Sequence, residues 1–401
     1  MYHGGTETPE AQMTLTTKLA AAMIALVAIT VSVVGWLNYR GVEQVAIPRM
    51  LDRIESQAAL VAADLESYVA GVRGDIAGFR AGSALNALMR AHQAGGHDPV
   101  DGATESTWRE RVANRLAAEL DAKPSYAMMR FIGVDDNGRE IVRVDRSGPN
   151  GAIRKVPAEW LEPMGDRSYF KETIKLRPGE VFVSWLRLDR AGTETVNLPR
   201  PTLRVATPLF TPDGKPSGIF IIDVDMRPAL DRISASARPG ESVYLVNERG
   251  DYLLHPDHAR EFGSELGMPI ESWQSDFPIL APSLGAVHSV AHVVPDRAGR
   301  PSGLALAPAI LAGNEWVAVI KAAPNAVVTA SAAAIQHTSV LAGLVAVLCA
   351  AALAVWIARS LSRPIVELTA AVEGAGRDGS ASIPVDASGE TGVLADQKSV
   401  V

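Results

Sequence analysis

The chain has 401 residues, with 38 Lys and Arg against 45 Asp and Glu, for a formal net charge of -7 with histidine neutral. An acidic balance with no basic run argues against a nucleic-acid partner. A single cysteine, Cys349, excludes an internal disulfide framework and a cysteine zinc cluster. The length accommodates two or three domains, and the apolar share of 47% is ordinary but unevenly placed.

Residues 1–14 are polar and read as a cytoplasmic tail. The segment 15–38 contains the uncharged run LAAAMIALVAITVSVVGWL, Leu19 to Leu37, about 29 Å long as a helix and close to the thickness of a hydrocarbon core. A second run, VLAGLVAVLCAAALAVWIA from Val340 to Ala358, falls in the segment 338–358. Trp36 and Trp356 stand near the run ends, where indole rings favour the interface. The competing readings are a cleaved signal peptide and a buried core helix. The length of both runs, and the lack of a small-x-small site after the first, favour two transmembrane helices. Arg359 and Arg363 follow the second run and Lys18 precedes the first, so both ends are expected in the cytoplasm and residues 39–337 outside it.

After the first run, Ile47, Leu51, Ile54, Ala58, Val61, Leu65, Tyr68, Val72, Ile76 and Phe79 recur at spacings of three and four. They predict one long amphipathic helix, of about nine turns. It serves either as a stalk paired with a second subunit or as a helix packed on its own domain. Residues 91–107 form a Gly/Asp/His-rich loop. A shorter helix carries Trp108, Val112 and Leu116 on one face.

From Met128 the period becomes strand-like. Met128–Val134 and Glu140–Val144 flank a turn at Asp135-Asp136-Asn137-Gly138, where Asn-Gly readily takes positive φ. A short helix over 167–176, capped by Asp166, is followed by strands at 180–188, 201–209 and 218–224 and a helix from Arg227 to Ala237. The pattern then repeats structurally. Ser242–Val246, a turn at Asn247–Gly250 and Asp251–His255 precede strands near 286–294, 303–309 and 315–321. From Ala322 to Ala358 there is no Asp, Glu, Lys or Arg, and a helix over 324–339 is expected to run into the second span as a signal conduit.

Three phrases resemble the double Cache sensor family of tandem PAS-like modules: DRSYFKETIKLRPGEVFVSW at 166–185, RPTLRVATPLFTPDGKPSGIFIIDVDM at 200–226 and VYLVNERGDYLLHPD at 243–257. The resemblance covers about residues 40–335, with a distal module at about 120–235 and a proximal module at about 240–322. It implies an α+β fold in which a long N-terminal helix carries two antiparallel-sheet modules. Residues 359–401 resemble a partial HAMP domain, with Pro364 opening its first helix and Glu390-x-Gly392 its second. Ala395–Val401 is too short to complete that second helix, so a chain without its output domain is expected.

The resemblance also implies ligand positions in the distal module. Arg167 matches an Arg of the family's motif, with Tyr169 and Phe170 at its aromatic positions, and Asp223 matches an Asp that receives a ligand ammonium. Arg offers a planar fork to a carboxylate, and aromatic rings exclude water and stack on cations. Trp185 and Arg204 complete the expected ligand-binding set. Each has a plainer reading as a surface or core residue. His255, Asp257, His258, His288 and His292 do not form a convergent set for zinc on strand-like spacing, and no metal or other cofactor is expected. No phosphate loop, kinase box, cyclase phrase or nucleophile elbow is present, so no catalytic residue is named.

The expected function is that of a bacterial inner-membrane, multi-pass receptor with a periplasmic sensor domain. It would form a homodimer and take a small-molecule ligand of the amino- or carboxylic-acid class. The chain would be the input half of a sensor histidine kinase. The input half of a diguanylate cyclase or chemoreceptor, and a non-catalytic binding or scaffold protein, remain open beside it.

Overall fold

The computed structural model describes residues 15–41, 47–147, 151–189, 199–269, 272–283, 288–295, 301–312, 315–324, 341–353 and 356. The chain divides into two compact units, Met1–Pro48 with Val328–Val401, and Arg49–Val327.

In the first unit, α1 spans Leu15–Gly41 and a further helix covers 341–353. Ile24, Leu26, Ile29, Val33 and Val34 are exposed on α1, and Leu341, Leu344, Val345, Leu348 and Leu353 on the other helix. The hydroxyls of Thr30 and Ser32 turn back onto the carbonyls of Leu26 and Ala28, each at 2.8 Å, so neither seeks an outside partner. The two helices meet at Gly343, where an added Cβ would lie 2.9 Å from Val31 Cγ1. Among the described residues no helix is long and apolar enough to cross a membrane. The expected cytoplasmic tail at 1–14, nearly all of the conduit helix at 324–339 and the HAMP segment at 359–401 lie outside the described residues.

The second unit is built on α2 (Ile47–Arg80), 34 residues long. Met50, Ile54, Ala58, Ala62, Leu65, Val69, Val72, Ile76 and Phe79 form its buried edge. All of these but Met50 pack with Leu203, Val205, Phe220, Ile222 and Val224 of one sheet, and Val243, Leu245, Val317 and Val319 of another, in one continuous core. The apolar stripe of α2 is therefore used within its own domain. The helix is followed by α3 (Ser83–Gln93) and α4 (Glu105–Ala122), the latter capped by Thr104. The segment expected as a loop from residue 91 thus begins inside α3, and Val112 and Leu116 are buried as anticipated.

The distal sheet holds β1 (Tyr126–Gly133), β2 (Glu140–Arg146), β3 (Ile153–Lys155), β4 (Phe182–Val183), β5 (Arg187–Asp189), β6 (Arg200–Phe210) and β7 (Pro216–Asp225). Its order is β3-β2-β1-β7-β6-β4, with β5 also on β6 and every pair antiparallel. Between β1 and β2 lies the single turn α5 (Asp135–Gly138). Asp136, Asn137 and Gly138 all have positive φ there, as the Asn-Gly pair requires.

Two expectations for this module need correction. The helix α6 is Ser168–Thr173, shorter than 167–176, because its last turn tightens to three-residue bonds and Pro178 follows. Its N-cap is Arg167, with no side-chain capping bond, and Asp166 instead lies 3.5 Å from Lys171 Nζ. The strand expected over 180–188 is broken into β4 and β5. Val183 pairs with Val205 and Arg187 with Thr202, so four steps on one side oppose three on the other. This one-residue bulge is held by Ser184, whose N–H donates to Arg204 O at 2.8 Å while its Oγ accepts from Arg204 N at 2.9 Å.

The helix α7 (Arg227–Ala235) leads to the proximal sheet: β8 (Ser242–Asn247), β9 (Tyr252–Leu254), β10 (Val290–Pro295), β11 (Pro301–Ala312) and β12 (Glu315–Pro324). Its order is β10-β11-β12-β8-β9. The single turns α8 (Gly263–Leu266) and α9 (Trp273–Asp276) lie in the β9–β10 connection, with Trp273 in a second core beside Tyr252, Leu306 and Ile320. Two antiparallel modules in series thus match the repeat read from the sequence.

Candidate functional site

Side chains alternate across a strand, which gives β7 two different faces. Phe220, Ile222 and Val224 enter the α2 core, so Ile219, Ile221 and Asp223 face the other side. On that side α6 lays Tyr169 and Phe170 over the sheet, in a cluster with Ile132, Met164, Ala206, Ile219 and Ile221.

Asp223 is opposite Arg204 across β6–β7 and diagonal to Arg130 on β1. Arg204 grips it with both Nε (2.6 Å) and Nη2 (3.1 Å), and Arg130 Nη2 reaches the same carboxylate at 3.2 Å. Arg130 also donates to Glu140 at 3.2 Å, and Arg143 donates to Glu140 at 3.0 Å. Arg143 lies 3.4 Å from Asp145, which accepts a two-pronged pair from Arg154 at 3.0 and 3.2 Å. At the other end Arg204 lies 3.6 Å from Asp189. The result is an alternating ladder, Arg154–Asp145–Arg143–Glu140–Arg130–Asp223–Arg204–Asp189, in which four guanidinium and four carboxylate groups balance across the sheet.

Electrostatics follow from that arrangement. Burial raises the proton affinity of Asp223, but Arg204 and Arg130 outweigh it, and the carboxyl is held below its usual range. Burial works against the charge of Arg130, and Asp223 and Glu140 more than offset it, so Arg130 stays firmly protonated. Tyr169 forms the lid: its ring centroid lies 4.4 Å from the Arg204 guanidinium carbon and 5.3 Å from that of Arg130. Burial pushes the Tyr169 phenol up. Two ladder donors are left over, because Arg130 Nε and Arg143 Nε are buried and have no hydrogen-bond partner among the described residues.

The structure therefore brings together four of the six residues named from the sequence. Tyr169, Arg204 and Asp223 converge directly, and Phe170 is buried beside Gly138, whose added Cβ would sit 3.2 Å from Phe170 Cζ. Arg167 is exposed at the start of α6 and, among the described residues, makes no ladder contact. Trp185 rides on the bulge between β4 and β5, with Arg249 of the proximal module 4.2 Å from its ring. Sequence reasoning missed Arg130 and Glu140. The signal was available, since Arg130 interrupts the apolar strand MMRFIG just as Asp223 interrupts GIFIIDVD.

Comparisons with known proteins agree with this architecture. Residues 105–283 match the family model described as bacterial histidine kinase, sensor domain. The fold is similar to a domain of a sensory box/GGDEF family protein from Vibrio parahaemolyticus, with TM-score 0.56 and 16% identity over 71% of this chain and 99% of that one. It is equally similar to the extracellular domain of a protein assigned as histidine kinase vpHK1S-Z8, with TM-score 0.56 and 17% identity over 72% and 95% of the two chains. The periplasmic sensory domain of the Campylobacter jejuni chemoreceptor Tlp1 gives TM-score 0.50 and 12% identity over 71% and 98%. At these identities the likeness is one of fold. No curated protein matches the chain. The structural neighbours are Cache-like sensory domains of histidine kinases and chemoreceptors.

Proposed function

We propose that this chain, with a sensor domain of the bacterial histidine kinase type over residues 105–283, is the ligand-sensing input half of a membrane-anchored sensor kinase. The ligand is a small solute with a carboxylate, of the amino- or carboxylic-acid class, bound on the distal sheet beneath Tyr169. One observation carries this reading: Arg130, buried beside the Tyr169 ring, keeps an Nε–H without a partner, as Arg143 does further along, inside a ladder matched charge for charge. A buried donor without a partner costs about 1–3 kcal/mol, and a ligand oxygen would recover it. A ligand ammonium would compete with Arg204 for Asp223.

Anchoring by two spans, with the sensor domain outside the inner membrane and the chain paired as a homodimer, belongs to the same proposal. It is supported by the two uncharged runs, the exposed apolar side chains on both helices of the first unit, and the hydroxyls of Thr30 and Ser32 satisfied within their own helix. Relay toward the second run is supported by Lys321 on β12. Its buried ammonium lies 3.2 Å from Gln57 on α2, 3.4 Å from the Ser236 carbonyl after α7 and 3.6 Å from Glu241. Glu241 in turn meets Arg53 of α2 at 3.5 Å. One buried cluster thus ties the long helix and the exit of the distal module to the last proximal strand. A ligand signals only by its differential affinity for two arrangements of such a cluster.

The test is a thermal melt of the full chain in lipid nanodiscs against a panel of amino and carboxylic acids. At least one compound should raise the midpoint, and Arg130→Gln should remove that rise. A midpoint unmoved by every compound would sink the ligand assignment.

A further inference from the structure

The bulge at Ser184 has a second effect: it turns Trp185 out of the distal sheet and toward the proximal hairpin. There the β8–β9 turn is held by Asn247, whose Oδ1 accepts from Arg249 N at 3.0 Å and Asp251 N at 2.9 Å, with Gly250 at positive φ. That turn presents Arg249 against the indole, with the guanidinium carbon 4.2 Å from the ring centroid. The two modules are stitched beside this contact by Glu265 of α8, which accepts from the backbone N–H of Leu188 at 2.8 Å. Between them lies a cleft of about 420 Å³, walled by Trp185, Arg187 and Leu188 on one side and Arg249, Asp251 and Glu265 on the other. That volume suits an amino-acid- to drug-sized molecule.

We propose that this cleft between the distal and proximal modules is a second binding site, and that it takes a small organic carboxylate. The choice of charge rests on which groups are already engaged. Asp251 accepts from Ser264 N at 3.1 Å and Ser264 Oγ at 2.7 Å, and Glu265 accepts from Leu188. The acidic wall is thus held by fixed local donors. The two cations are not held in that way. Arg187 stands 4.0 Å from Glu265, beyond hydrogen-bond length, with its side chain 57% exposed. Arg249 meets no carboxylate among the described residues and rests on the Trp185 ring. A guanidinium stacked on an indole keeps its N–H edge free and its plane fixed, which is the geometry a carboxylate takes in a two-pronged pair. A ligand held there touches both modules at once, so it favours the conformation in which they are joined. This site is independent of Arg130, Tyr169 and Asp223.

The experiment is a saturation-transfer NMR titration of the full chain in nanodiscs with sodium succinate and sodium benzoate as probes. At least one probe should bind. Arg249→Gln should weaken it by at least about tenfold, the loss of a charge-assisted pair, and Trp185→Leu should weaken it as well. Arg249→Lys should recover only part of the loss, since a lysine lacks the planar fork. Arg249 lies at a surface turn, so the variant folds, which far-UV circular dichroism checks. Arg130→Gln should leave this binding in place, whereas it removes the effect of the distal ligand. The inference is overturned if neither probe binds the wild-type chain. It is also overturned if Arg249→Gln changes nothing, or if binding is lost with Arg130→Gln alone, which would move the probe to the distal sheet.

Discussion

Asp223 and Arg204 stand opposite one another on the two central strands β7 and β6 and form a two-pronged ion pair at 2.6 and 3.1 Å. Asp223 is buried and Arg204 partly so, and the same carboxylate also serves the buried Arg130. Charge is balanced within one layer of side chains, with Glu140 as the second carboxylate for Arg130 and Asp189 for Arg204.

Asp223→Asn should therefore destabilise the sensor domain by about 3–5 kcal/mol, since it leaves the buried Arg130 and the half-buried Arg204 each short of a carboxylate. The wild type should also show the acid linkage of a depressed carboxyl. Its stabilising contribution is complete above the unfolded value, about 3.9, and is lost as pH falls through the lower folded value. Denaturant melts from pH 6 down to pH 2 would show this slope in the wild type and a shallower one in the variant. Equal slopes would remove Asp223 as the source of the acid sensitivity.

Tyr169 acts through its ring rather than its hydroxyl. Tyr169→Phe keeps the contacts with Arg204 and Arg130 and should change stability by less than about 0.5 kcal/mol. Tyr169→Leu should lose about 2 kcal/mol more, the value of a desolvated cation–π contact. If Phe and Leu are equally harmful, the hydroxyl matters and the lid is misread.

Two glycine substitutions should have opposite signs. A Cβ at Gly218 would run into the Ile132 carbonyl oxygen and lie 2.7 Å from Phe131 Cε2, at the point where β1 and β7 pair through Gly133 and Gly218. Gly218→Ala should cost about 3 kcal/mol, in the range of severe core substitutions. Gly74 lies on the exposed side of α2, with nothing within 4 Å of an added Cβ. Gly74→Ala should raise stability by about 0.5–1 kcal/mol through helix propensity alone. A loss at Gly74 in the membrane-embedded chain would instead reveal a second molecule packed on that face, as the homodimer proposal allows.

In the proximal module, His255 sits with Tyr244 and Tyr252, and its Nε2 faces Arg260 Nη1 at 3.1 Å. Burial and the Arg260 charge hold its pKa below the ordinary value of 6.5. The neutral ring is thus the folded form, so this contribution is complete above pH 6.5 and declines as pH falls through the lower folded value. An NMR titration should find His255 below 6.5, and Arg260→Gln should raise it. No upward shift in that variant would remove Arg260 as a cause.

Much of the architecture was legible because short-range rules decide it. The spacing of three and four from Ile54 to Phe79 made one helix. The Asn-Gly and Asp-Gly turns, read together with alternating apolar residues, placed the hairpins at 135–138 and 211–214. Tyr169, Phe170 and Asp223 were named through a motif resemblance and Arg204 as a further candidate beside them, and the fold gathers the four side chains. Arg167 was found the same way and lies apart on the surface, because a motif gives chain order and not the direction a side chain takes at a helix start.

What only the tertiary structure decided are the long-range pairings. Arg130 and Asp223 are 93 residues apart, and they meet because β1 lies against β7 at the centre of the sheet. No local pattern contains that register. The same holds for the bulge that sends Trp185 to Arg249, since an extra residue on one strand is visible only when the opposing strand is in place. Helix periodicity and turn chemistry are encoded within a few residues, whereas the balance of buried charge depends on which distant strands become neighbours.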